Sequence, residues 1–239
     1  RKYATTSLGA ILIDLRRFPE AVTMFRESLA DAESLVATSP GNADYQQARL
    51  EALAWLSAAL EHVGRLDDSL AQRERQLALL EPILRSSNAD PDYRFQALAA
   101  HRSAGRLLAS HGDLPGGLEH LRQSVRIGEG LMQIEPDNAD WAGLAAAPYL
   151  DLAGLQLAAS QVEEAGVSAR AGCNIVDRLL LRDSTVKEWR LARGACLSLR
   201  TRLALARGTS EEARTLAKQL GSWAAAEARK APSAESRQR

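Results

Sequence analysis

The sequence predicts an all-α chain, an α-solenoid of about five antiparallel helix hairpins. Three observations carry this. Tyr45, Tyr93, Trp141 and Trp189 stand 48 residues apart, and a turn recurs at the same step: Arg16-Arg17-Phe18, Gly64-Arg65-Leu66, Gly112-Asp113-Leu114, Ser160-Gln161-Val162 and Gly208-Thr209-Ser210. No insertion breaks the register, and a strict period marks stacked structural units. The stretch from Tyr45 to Leu84 shows one unit whole, as a long apolar-periodic helix A, a turn at Val63-Gly64-Arg65 and a long helix B. Two columns hold small residues in every unit: Gly9, Ser57, Gly105, Ala153 and Thr201 in the A helices, and Ala21, Ser69, Gly117, Ala165 and Ala213 in the B helices. Small residues at matched positions let two helix backbones approach closely.

The elements follow in order. Leu8, Ile11, Leu12 and Leu15 make the stripe of a first A helix whose start is missing. Phe18-Pro19-Glu20 opens the first B helix, because proline is tolerated in a first turn. Leu29, Leu35 and Val36 continue it, and Ser39-Pro40-Gly41-Asn42 stops it. The second unit carries Leu50, Leu53, Leu56 and Leu60 in helix A and Leu66, Leu70, Leu77, Leu80 and Leu84 in helix B, where Pro82 predicts a kink or an early end. Asn88-Ala89-Asp90-Pro91 opens the third unit, with Asp90 as cap. Asp113 caps the helix after it, in which Gly116 has no evident purpose. The fourth unit starts at Pro136-Asp137-Asn138, and Pro148 inside its A helix predicts a bend or a split. Thr185 with Glu188, and Thr209 with Glu212, read as capping boxes of the fifth unit. Residues 1–228 are thus expected to form the solenoid and 229–239 a disordered tail.

Composition excludes several classes. Thirty basic and 30 acidic residues cancel, which argues against a nucleic-acid surface or an anionic-membrane surface. No stretch approaches the roughly 18 apolar residues of a membrane span. Cys173 and Cys196 make no disulfide framework; they read as buried small hydrophobes of a reducing compartment, so a cytoplasmic location is expected. The chain opens without Met inside an apolar segment, so a larger parent protein is expected, and an open first helix that frays or self-associates weakly.

The pattern resembles the tetratricopeptide repeat family. The likeness lies in Ser57 and Ser69, Gly64, and the Leu53, Leu56 and Leu60 stripe, and in the next unit in Gly105, Leu108, Gly112, Gly117 and Leu121; it covers residues 1–228. The family unit is about 34 residues. The longer unit here fits about two extra turns in each helix, which keeps both apolar stripes roughly in phase. The family's aromatic in helix A is replaced by Leu53 and His101 and kept by Tyr149, and its closing proline is displaced to Pro40 and Pro136. The resemblance implies a right-handed, TPR-like superhelix whose A helices line a concave groove. Lengthened repeats of this kind look like those in sensor or scaffold regions of large bacterial signalling proteins.

Chemistry is sparse. His62, His101, His111 and His120 have no pair at the three- or four-residue spacing of helical metal ligands, so no metal is expected, and no cofactor. No nucleophile elbow or phosphate loop is present, so the chain is read as no enzyme. Glu163-Glu164 and Glu211-Glu212 sit in first turns, where the helix dipole favours them. The family's groove columns fall on Thr6, Ala54, Arg102, Leu150 and Ser198, and on Ala10, Ala58, Arg106, Gly154 and Arg202. Glu61, His62 and Asp14 follow a turn later. Arg102, Arg106, Arg202, Glu61, His62 and Asp14 are therefore the expected partner-binding residues, with Arg102 and Arg106 placed to fork onto an acidic peptide. The expected function is a protein-interaction scaffold or sensor region holding a peptide or protein in its groove. The alternative is a structural or regulatory spacer against neighbouring domains of its parent.

Overall fold

The computed structural model describes residues 2–85 and 90–230, with side chains from residue 7. It has ten helices among them: α1 (Lys2–Asp14), α2 (Phe18–Thr38), α3 (Ala43–His62), α4 (Leu66–Leu84), α5 (Pro91–Ser110), α6 (Leu114–Ile134), α7 (Ala139–Ala158), α8 (Val162–Arg182), α9 (Lys187–Ala206) and α10 (Ser210–Lys230). No strand occurs among the described residues. The architecture is the all-α repeat of paired helices that the period predicts. Asn88 and residues 231–239 of the expected tail lie outside the described residues; its first two, Arg229 and Lys230, end α10.

The five mid-unit turns share one backbone device. Arg16, Gly64, Gly112, Ser160 and Gly208 all have positive φ, between 58° and 87°. That left-handed residue ends each A helix, and glycine takes it without the Cβ penalty that Arg16 and Ser160 bear. The helix starts are capped as their sequences suggest in three units. Asn42 accepts from the Tyr45 amide at 3.2 Å, Asp90 from Asp92 at 2.9 Å, and Asn138 from Asp140 and Trp141 at 3.0 and 3.1 Å. Gly116 acquires a purpose here: its amide donates to Asp113 Oδ1 at 2.9 Å, and its missing Cβ leaves room for that carboxylate.

Two expectations fail locally, and one of the two alternatives for Pro148 is removed. The Thr185–Glu188 capping box does not form; α9 begins after Val186, and Thr185 turns back to Asp183 Oδ1 at 2.7 Å through both amide and hydroxyl. Pro148 does not split its helix. α7 is continuous with Pro148 buried inside it, and the carbonyl that loses its partner belongs to Leu144, which solvent reaches. The first-helix stripe divides: Leu12 is buried, whereas Leu8, Ile11 and Leu15 are exposed. Pro82 is accommodated near the end of α4, which stops at Leu84.

The chain divides into two compact units, Arg1–Ser124 and Val125–Arg239. The first has a core of Leu12, Val22, Phe25 and Leu29 against Leu53, Leu56, Ala59 and Leu60. The second has Ala146, Leu150 and Ala153 against Ala165, Ala169, Ile175, Val176 and Leu179, with Leu199 and Leu203 of α9. In the first unit the small columns do what their size allows. Ser57 and Ser69 are fully buried and bonded to each other at 2.8 Å, and Ser69 Oγ also donates to the Ser57 carbonyl at 2.9 Å. A Cβ on Gly105 would lie 2.8 Å from Leu121 Cγ and 2.9 Å from the Gly117 carbonyl oxygen.

The two cysteines are buried as expected, but they are not unpaired. Cys173 of α8 and Cys196 of α9 form a disulfide with a Cα–Cα distance of 5.6 Å, and both are buried. The bond ties the B helix of one repeat to the A helix of the next. The sequence separation of 23 hid this, because proximity follows from stacking. The argument from unpaired thiols to a reducing compartment falls with it. No helix among the described residues is long and apolar enough to cross a membrane.

Two outcomes test the packing. Gly105→Ala should cost about 1–2 kcal/mol in a urea melt, since the overpacking exceeds alanine's gain in helix propensity. An unchanged midpoint would mean that the helices stand farther apart. Reduction of Cys173–Cys196 should cost about 3 kcal/mol, the loop-closure value for its spacing. Thiol titration of the protein purified without reductant and then unfolded in guanidinium should find no free thiol, and two per chain would refute the bond.

Candidate functional site

The first unit contains a cavity of about 450 Å³. α3 and α5 form its walls, through Gln47, Glu51, Ala54, Trp55 and Ala58 on one side and Asp92, Phe95, Gln96 and Ala99 on the other; α4 supplies Arg73 and Gln76. Ala54 and Ala58 fall in the two groove columns of helix A and, with Ala99, leave the space open. Trp55 and Phe95 remain 38% and 36% exposed. Trp55 is held on its other face by Phe25, whose ring lies 5.6 Å away at 11°. The polar residues form a chain: Gln96 Nε2 donates to Gln47 Oε1 at 2.9 Å, and Gln47 Nε2 to Glu51 Oε1 at 3.0 Å.

The floor is unusual. Arg73 is 8% exposed. It sits in a column occupied elsewhere by Phe25, Leu121 and Ala169, all buried. Its Nη1 donates to Gln76 Oε1 at 2.9 Å, Gln76 Nε2 donates to the Leu50 carbonyl at 3.2 Å, and Arg73 Nε has no partner among the described residues. Burial pulls the Arg73 pKa down to about 10, opposed by Glu61 and helped by Arg106. The guanidinium therefore stays charged at neutral pH. The leucine stripe of α4 lies beside this position, and the signal for it in the sequence is the 48-residue column, where arginine replaces apolar residues.

The expected partner-binding residues are distributed as follows. Glu61 is half-buried, accepts from Ser103 Oγ at 2.7 Å and lies 4.0 Å from Arg106 Nη2. Arg106 is exposed and Arg102 half-buried, both on α5. His62 stacks on Phe18, with ring centroids 4.4 Å apart. Asp14 is exposed at the end of α1. Arg202 is exposed on α9, in the second unit. The fold thus brings Glu61 and Arg106 together. The second unit has its own hollow, of about 620 Å³, lined by α8, α9 and α10. Its Arg190 is already bonded to both Glu227 oxygens at 3.0 and 3.1 Å.

Two histidines meet in space although their spacing gives no sign of it. His101 Nδ1 and His120 Nδ1 are 3.0 Å apart, so one ring donates and the other accepts. Burial holds the His120 pKa below the usual histidine value, with Glu74, Glu119 and Asp113 pulling the other way. Among the described residues no group of three or more His, Cys, Asp or Glu could hold a metal ion. Tyr149, in the second unit, donates to the Glu129 carboxylate, and burial together with that bond pushes its pKa up.

No protein-family model matches the chain, and no curated protein matches it. Solved structures do. The chain is similar to the nearly identical TPR-like repeats of a kinesin light chain-type protein of Podosopora anserina, at 18% identity and a TM-score of 0.65, covering 94% of this chain and 95% of that one. A single-substitution variant of that protein gives 17% identity and 0.62, with 95% and 96% covered. BtubC (BKLC) from P. vanneervenii gives 12% and 0.51, with 90% and 94% covered. At these identities the likeness shows the fold: paired helices in the TPR-like arrangement.

The histidine pair sets a pH dependence. With its folded pKa lowered, neutral His120 contributes stability at pH 7 that is lost as pH falls below the unfolded value of about 6.5 and down through the folded one. His120→Gln should flatten that limb in melts from about pH 7.5 to 5. A wild-type curve no steeper than the variant's would remove the assignment.

Proposed function

We propose that this chain is a protein-interaction module that receives a segment of a partner in the α3–α5 cavity of its first unit. The observation that carries the reading is a preformed hollow with small residues inside and aromatic residues at its edge. Trp55 and Phe95 offer apolar area that is already ordered, Trp55 by its stack on Phe25. Binding there costs little side-chain entropy. Arg106 and Glu61 lie farther along α5 and α3 and extend the surface with charge of both signs. Arg102 belongs to the same helix, and the second unit's Arg202 is a separate contact. TPR-like folds generally mediate protein–protein association, which agrees with this reading. The lengthened repeat adds a context, a scaffold or sensor region within a larger signalling polypeptide.

A spacer role is the second reading. It draws on Leu8, Ile11 and Leu15, three exposed apolar residues in and just after one helix. Those residues would serve contacts with a neighbouring domain, not a groove ligand.

The groove reading is tested by filling the cavity. Peptides selected from a random library on the wild-type chain should lose about tenfold or more in affinity for Ala58→Trp, measured by calorimetry. They should bind Leu181→Ala, altered at an exposed residue of α8, unchanged. Peptides indifferent to Ala58→Trp, or none selected at all, would defeat the reading.

A further inference from the structure

We propose that the Cys173–Cys196 bond is a redox clasp: a dithiol reductant opens it, and the α9–α10 hairpin is then released from α8. The inference concerns the second unit alone and stands apart from the groove of the first. The bond is an addition to a joint that holds without one elsewhere. The Cys173 column has Leu29, Leu77 and Val125, the Cys196 column has Ala52, Ala100 and Pro148, and Leu29 and Ala52 share a core in the first unit with no covalent link. The α8–α9 joint is less completely filled. The hollow of about 620 Å³ opens one turn from each cysteine: Asp177 follows Cys173 by four residues, Arg193 precedes Cys196 by three, and both line it. Leu181, on its α8 side, is 87% exposed. The ion pairs across this joint, Arg200–Asp177 at 3.5 Å and Arg207–Glu163 at 3.1 Å, are open to solvent and contribute little.

The hairpin beyond the joint depends on it. α10 packs chiefly on α9, and Ala213 is its one buried residue. α9 in turn packs on α8 and more lightly on α7. In stacked repeats stability is the sum of each unit and its joints, so weakening one joint releases the unit it holds before the others. Both half-cystines are buried, so attack waits on a transient opening, and the hollow lies where opening meets least packing. A thiolate of the dithiol attacks one sulfur, the S–S bond breaks, and the other cysteine leaves as a thiolate and takes up a proton. The second thiol of the reductant then displaces the first cysteine from the mixed disulfide. Two electrons and two protons have passed to the cysteine pair, and the reductant has become a disulfide. The released joint uncovers Val176 and Leu179 of α8 and Leu199 and Leu203 of α9, which the oxidised state keeps in its core.

The test follows amide hydrogen exchange by mass spectrometry on the whole chain, first oxidised, then reduced with excess dithiothreitol, then reoxidised. A loop closed over a separation of 23 residues shifts an opening equilibrium by roughly a hundredfold. Reduction should therefore speed exchange in α9 and α10 by at least about tenfold, leave α7 and the first half of α8 protected, and be undone by reoxidation. Cys196→Ala, which places the residue of Ala52 and Ala100 in that column, should exchange like the reduced wild type and ignore dithiothreitol. Its protection in α7 and α8 reports that the variant is folded. A change in α9 and α10 smaller than about tenfold would make the bond a plain staple and overturn the clasp. Equal acceleration from α7 to α10 would mean a loss of stability in the whole unit and overturn it as well. So would a native bond that excess dithiothreitol leaves intact, or exchange that does not return on reoxidation.

Discussion

The close approach of helices A and B within each repeat is the constraint on which the rest depends. Ser57 on Ser69, Gly105 on Gly117 and Ala153 on Ala165 leave no room for larger side chains at the centre of the hairpin. Helices of about 20 residues that meet so closely have a fixed rotation about their axes, since only one face of each is small. Everything outward follows from that rotation. Leu53, Leu56 and Leu60 are turned into the core, Ala54 and Ala58 to the open side, and α4 behind them. The buried hydroxyl pair at Ser57 and Ser69 is fully satisfied, so it brings polarity into the joint without leaving an orphan.

A second device also acts within the repeat. Gln76 donates to the Leu50 carbonyl, and Ser124, 48 residues later, donates at 2.8 Å to the carbonyl of Leu98, likewise 48 residues on. A B helix is thus bonded back to its own A helix at the same place in two repeats. The joint to the following repeat is apolar in the first unit, where Leu29 and Ala52 share a core. The corresponding pair in the second unit is Cys173 and Cys196, which converts that apolar contact into a covalent one. One column therefore accommodates a small apolar residue or a half-cystine in the same backbone geometry.

Arg73 departs from this order. Gln76 and Ser124 are buried polar residues that the fold satisfies, whereas Arg73 is a buried charge that it satisfies in part. Stability alone does not select such a residue, because apolar residues hold the same column in other repeats. The outer arginines that the family pattern singles out are of another kind. Arg106 is exposed and lies beside Glu61, so water and a weak ion pair already serve it.

The sequence by itself determined the ten helices, their turns and the pairing within hairpins. Those features rest on local periodicity and on a strict repeat, and Asn42, Asp90, Asn138 and Gly64 act within a few residues of themselves. Arg73 and Gln76 stand among the leucines of α4, and their own columns, with Phe25, Leu121 and Ala169 for the first, are what set them apart. Only the tertiary structure decided which distant side chains meet. Cys173 with Cys196 and His101 with His120 lie on different helices, and their contact depends on the rotation and tilt of whole elements. Spacing along the chain carries no record of those angles. The cavity at α3 and α5 is of the same origin: its alanines were legible as small, but a hollow exists only where neighbouring helices leave one.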